Sequence, residues 1–194
     1  TIRHIVPLTQ LLLLTGSAEW RIASVNSDAI TPTSISVKPQ SYVGANNAQP
    51  VIVNNSMVYA SARGGHVREL GYNWQANGFI TGDLSLRAPH LFDNFLITDM
   101  ALAKAPLPIV WMISSSGKLL GFTYVPEQGV GAWHQHDTDG KFESVATVSE
   151  GNDDVVYCVI KRTINGASKK YIERMGTRLY NTQRESFFVD AGAT

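Results

Sequence analysis

The segment Leu107–Val148, LPIVWMISSSGKLLGFTYVPEQGVGAWHQHDTDGKFESVATV, limits what this chain can fold into more than any other stretch. Its apolar runs are too short for helices, and each is closed by turn residues. Ile109 to Ile113 is rich in β-formers, and Ser114-Ser115-Ser116-Gly117 forms a turn. Leu119 to Val125 then alternates apolar with small residues. After Pro126-Glu127-Gln128-Gly129, Val130 to His136 reads as a third strand; Asp137-Thr138-Asp139-Gly140 then turns into a fourth, Phe142 to Val148. The expectation is one antiparallel sheet of about four short strands, the size of a propeller blade or half a sandwich.

The same pattern recurs along the chain. Ile2 to Val6 and Leu8 to Leu14 are apolar segments separated by Pro7, and Gly16-Ser17 turns the chain into Trp20-Arg21-Ile22-Ala23. The leucines Leu11 to Leu14 suit a strand buried on both faces, because Pro7 and Gly16 leave too little length for a helix. Asn26 to Pro50 reads as a long irregular connection containing one extended piece, Ser34 to Lys38. Pro50 to Val53, Met57 to Ala62 and His66 to Tyr72 form a second meander, with turns at Asn54-Asn55 and Gly64-Gly65. Between Asp83 and Ala105 the period changes. Asp83 can cap a helix, the spacing of Leu84, Leu86, Leu91 and Phe92 is loosely helical, and Pro89 interrupts, which predicts one or two short helices. A last hairpin runs from Asp154 to Thr163, turns at Asn165-Gly166 and returns through Lys169 to Arg174.

These hairpins centre near Leu13, Val58, Trp111 and Tyr157, roughly 45 to 53 residues apart, a spacing in the range of propeller blades. The fold class expected is mainly β: antiparallel hairpins and meanders in a propeller-like arrangement, with a sandwich as the alternative and short helices around residues 83–105. Residues 1–194 are expected to form a single β-rich domain. The start at Thr1 and the stop just after the strand-like Phe187-Phe188-Val189-Asp190 suggest a fragment of a longer polypeptide.

Composition narrows the function classes. With 16 basic and 16 acidic residues the formal charge is zero, so no global field draws nucleic acid or an anionic membrane surface. Cys158 is the single cysteine, which excludes an intrachain disulfide framework, and its apolar neighbours Val156, Val159 and Ile160 suit a small buried thiol. No apolar run is long enough for a membrane anchor. GxSxG, HExxH, CxxC, P-loop and GxGxxG motifs are all missing, so no catalytic residue is assigned and no cofactor is expected.

Three constellations remain. His134 and His136, two apart on a strand, project from one face where imidazoles can share a metal ion, and Asp137 and Asp139 follow; a polar outer face is the alternative. The DTDG run with Glu143 lacks the further acids of a calcium loop and reads as a tight turn. Among the acids, Glu143, Glu150, Asp153 and Asp154 include no pair whose spacing can be set from sequence. Lys161, Arg162, Lys169, Lys170 and Arg174, with Arg178 beyond them, are the only basic concentration; they could touch phosphate or a partner, or keep a solvated hairpin from aggregating. Trp20, Trp74, Trp111 and Trp133 fall about once per hairpin, which suits packing better than a ligand cage.

Several segments together resemble a known family. EWRI after an apolar strand, PVIVNNSMVYASARGGHVREL, DLSLRAPHLF, the run from VWMISSSG to ESVATV, and VVYCVIKRTINGASKKYIERM are similar to a family of phage and prophage virion proteins. That family resembles the tail nozzle, or tail tubular, proteins that close the distal end of a short tail. The resemblance covers most of residues 2 to 175, and its motifs are structural. It implies a propeller-like domain in a ring around a DNA-conducting lumen, located in the virion tail and assembled in the bacterial host cytoplasm. Other tail proteins and copies of itself would be its partners, and no catalytic residues carry over. A carbohydrate-binding or depolymerising tail component using Trp133, His134 and His136 is the alternative function, and a metal-dependent enzyme built on the two histidines a third.

Overall fold

The computed structural model describes residues 1–177 and 180–185. Arg178 and the strand-like Phe187–Asp190 lie outside the described residues. The chain divides into two compact units, Thr1–Ile97 and Thr98–Thr194. The fold is mainly β, in four antiparallel sheets, and the strands of every sheet follow one another in sequence order.

The first sheet contains β1 (Ile2–Pro7), β2 (Leu11–Thr15), β3 (Glu19–Ser24) and β4 (Ile35–Ser41) in that order. The second contains β5 (Val51–Val53), β6 (Ser56–Ala60), β7 (Val67–Asn73) and β8 (Gly78–Asp83). Period-2 alternation decides which residues meet. Val6, Leu12 and Leu14 from one sheet pack with Met57, Tyr59, Leu70 and Phe79 from the other in a single apolar cluster. Turn chemistry sets the hairpins locally: Asn54 takes φ 54°, a left-handed conformation that asparagine tolerates.

The third sheet runs β12 (Val130–His136), β11 (Leu119–Val125), β10 (Ile109–Ser114), β9 (Ile97–Ala103), and the fourth runs β13 (Lys141–Glu150), β14 (Asp153–Ile164), β15 (Ala167–Arg174). Trp111, Ile113 and Leu119 of the third sheet bury against Phe142, Val145, Val156, Cys158 and Ile160 of the fourth. The alternate residues of β10, Val110 and Met112, are equally buried, so this strand is apolar on both faces. Asp99 links the two sheets, accepting the Ser144 hydroxyl at 2.7 Å and the Val145 amide at 3.0 Å. At the last hairpin Asn165 and Gly166 have φ of 51° and 75°, the primed turn read from the sequence.

Four expectations change. Phe142–Val148 does not close the meander that begins at Ile109; β13 pairs with β14 instead, and the fourth strand of the third sheet is β9, which precedes the meander. A turn motif fixes a reversal of direction, but burial decides whether the next strand stays in the sheet or crosses to the one facing it. The short helices expected around residues 83–105 are the 3-10 turns Ser85–Arg87 and Pro89–Leu91, but the rest of that stretch also contains a strand, Ile97–Ala103. The connection after Asn26 contributes a full strand, β4, because Ile35 to Ser41 finds β3 as a partner. Trp74, expected to pack, stands 78% exposed at the β7–β8 turn, while Trp111 is core as expected.

Candidate functional site

The cross-strand register builds the histidine pair. Trp111 of β10 pairs with Gly121 of β11, and Gly121 pairs with His134 of β12, so these residues lie in one row across the third sheet. Gly121 has no side chain, and the His134 ring occupies its space: a Cβ there would meet Cε1 at 2.0 Å and Nε2 at 2.5 Å. His134 therefore lies flat against the backbone of β11, with its edge toward the Trp111 ring at 5.4 Å between centroids. One turn of the pleat further on, His136 meets the same indole at 5.4 Å.

His134 Nδ1 and His136 Nε2 stand 2.9 Å apart. Two imidazole nitrogens sharing a tetrahedral ion at 2.0–2.1 Å would stand roughly 3.3 Å apart. The pair instead has the separation of a hydrogen bond, one neutral ring donating to the other. Burial holds His136 below the ordinary imidazole range, and the Asp137 carboxylate opposes that shift. Neither Asp137 nor Asp139 joins the imidazoles: among the described residues no group of three His, Cys, Asp or Glu side chains is placed to hold a metal ion. The DTDG turn is tied elsewhere, because the Arg162 guanidinium donates to the Asp139 carbonyl at 2.7 Å and the Thr138 hydroxyl at 2.8 Å.

The basic hairpin is largely neutralised. Arg162 is buried and forms a two-pronged pair with Glu173, at 2.6 Å through Nε and 2.8 Å through Nη2. Lys170 pairs with Glu143 at 2.6 Å, and Arg174 pairs with Glu150 at 2.8 Å. The Arg174 guanidinium, together with the Tyr157 hydroxyl, holds the Glu150 carboxyl below the usual range. Lys161 and Lys169 are exposed and extend from the β14–β15 hairpin. Three of the five cations expected to meet phosphate thus meet carboxylates first. Sequence could not show this, because Glu143 and Glu150 lie on a different strand.

The structure adds sites that the sequence reading missed. His66 Nδ1 sits 2.9 Å from Asp83, whose carboxylate also meets Arg68 at 3.4 Å and accepts the Ser85 amide at 2.9 Å. His66 Nε2 faces the Asp93 carboxylate at 3.8 Å, so the imidazole bridges two acids and is not placed as the base of a hydroxyl or thiol nucleophile. Glu19 is fully enclosed beside the Ser41 hydroxyl and cannot meet a solute. Burial raises the Cys158 thiol to about 12, with Glu173 and Asp99 adding to the effect, so the cysteine is inert as read from sequence. The concavity lined by Asp153, Val155, Met175 and Thr177 measures about 10 Å³, room for roughly one water and too little for a sugar or a nucleotide. Among the described residues no helix is long and apolar enough to cross a membrane. No family model matches this chain, and no curated protein matches it.

Proposed function

We propose that this chain is a structural component of a phage or prophage tail, contributing subunit interfaces in a head-to-tail or nozzle assembly. One observation carries the reading: four successive antiparallel sheets, each an up-and-down meander completed before the next begins. That is how consecutive blades of a propeller follow one another along a chain, and it is the arrangement that the family resemblance implies. The best-organised polar clusters support a role without chemistry of its own. The two imidazoles bond to each other, and Arg162, Lys170 and Arg174 bond to glutamates. A neutral chain also suits a lumen that DNA crosses without being held, since tight binding would need a dense array of unpaired cations. The carbohydrate-binding reading has less support, because the Trp133 ring is stacked on Phe122 at 4.3 Å.

The test is mass spectrometry of purified particles from an induced lysogen or a phage lysate that encodes the chain, followed by antibody labelling under the electron microscope. The expected result is stoichiometric protein at the tail. Its absence from particles, or specific retention on a glycan array that is lost in His134→Ala, would overturn the assignment.

A further inference from the structure

One face of the first sheet packs against the second sheet through Val6, Leu12 and Leu14, and among the described residues of its own unit no sheet covers the other face. Directly opposed residues share a face, so the register gives two rows on the side away from the Leu12–Leu14 core. Ile5, Leu13, Trp20 and Pro39 form one row; Pro7, Leu11, Ile22 and Val37 form the next. Neither row contains a charge. Ile5 is 57% exposed and Val37 49% exposed, and Ile2 and Ile35 extend the apolar surface along the strands at 53% and 42%. In the middle of the face Leu11, Leu13 and Trp20 are half-buried and Ile22 is buried, so the open apolar area lies on the edge strands, and it is more than a monomer usually leaves in water.

We propose that this face binds the same face of a second copy of the chain, making a two-fold dimer in which the first sheets stack. A four-stranded face of this length covers roughly 500 Å² per copy once side-chain relief is included, or about 1,000 Å² across the pair, the lower bound for a specific interface. An isologous contact sets like against like, which an uncharged face tolerates and a charged one does not. The exposed face of the fourth sheet fails that condition. There Val159 and Ile172 lie opposite each other, but the neighbouring pair is Lys161 with Lys170, and the pair beyond is Tyr157 with Arg174. Edge-to-edge growth of the first sheet is blocked as well, because both edge strands contain a proline, Pro7 in β1 and Pro39 in β4. Stacking face to face is the mode left open.

This contact goes beyond the tail assignment: its failure would leave that assignment standing, and absence of the protein from particles would leave the contact standing. The test is sedimentation velocity of the full chain across a dilution series from about 100 µM, with a dissociation constant expected in the micromolar range. Val37→Lys and Ile5→Lys place a charge on the face at exposed edge positions and should each weaken association at least tenfold. Ile172→Lys on the fourth sheet should leave it unchanged. Raising salt to about 0.5 M should alter the constant less than twofold, because the contact is apolar. Where a lysine compromises folding by far-UV circular dichroism, Val37→Ser removes apolar area without adding charge and should weaken association in the same direction. A monomer at about 100 µM, or a dimer indifferent to Val37→Lys and Val37→Ser, overturns the proposal.

Discussion

Gly121→Ala isolates the arrangement around the histidine pair. The added Cβ would lie 2.0 Å from His134 Cε1 and 2.7 Å from Nδ1, far inside contact distance, so the ring must leave its place. The bond to His136 at 2.9 Å and the edge contact with Trp111 at 5.4 Å go with it. Overpacking of this kind costs about 1–3 kcal/mol. Opposing it, replacing glycine by alanine restricts the unfolded chain and returns about 0.4–1 kcal/mol. The net expectation in the parent protein is a loss of about 1 kcal/mol. In a His134→Ala background the clash is gone and only the entropic gain remains, so the same substitution should stabilise by about 0.5 kcal/mol. The double substitution should therefore be about 1.5 kcal/mol more stable than the two single effects added together. Urea unfolding of the four proteins, followed by tryptophan emission with equal m-values required, measures it. If Gly121→Ala costs the same in both backgrounds, the imidazole is not what fills the space, and the reasoning fails.

Arg162→Met should cost about 3 kcal/mol, because it strands the Glu173 carboxylate and two acceptors of the DTDG turn; Lys170→Ala, which breaks an exposed pair, should cost under about 0.5 kcal/mol, both read from chemical unfolding. For His136 the sign follows from its lowered value: the unfolded imidazole takes a proton near pH 6.5 while the folded one resists. Stability should therefore decline as pH drops below about 6.5 and level off below the folded value, and His136→Asn should flatten that part of the profile. Asp154, held low by the Lys104 and Ala105 amides, adds stability that is present above the ordinary carboxylate range and lost as pH falls through its folded value; Asp154→Asn should remove that acid limb. A thiol reagent at pH 8 should leave Cys158 unmodified in the native protein and label it within minutes in denaturant, since its thiol is pushed up to about 12.

The sequence alone determined the segmentation of this protein into short strands and tight turns. Leu11–Leu14, Ile109–Ile113 and the Asn165-Gly166 hairpin are all where period and turn chemistry place them, because those signals lie within a few residues of the structure they specify. Leu11–Leu14 is a strand as read, but its burial is one-sided: Leu12 and Leu14 are buried, while Leu11 and Leu13 stay half-buried on the face on which the dimer proposal rests. Only the tertiary structure decided which strands share a sheet. Phe142–Val148 departs to the fourth sheet, and Ile97–Ala103, which the sequence reading did not pick out as a strand, joins the third, because β-pairing rewards contacts between distant residues that no local pattern encodes. The histidines show the same division. Their spacing placed both on one face of β12, but what they do there depends on an empty Cα at Gly121 and an indole at Trp111, brought beside them from two other strands by register.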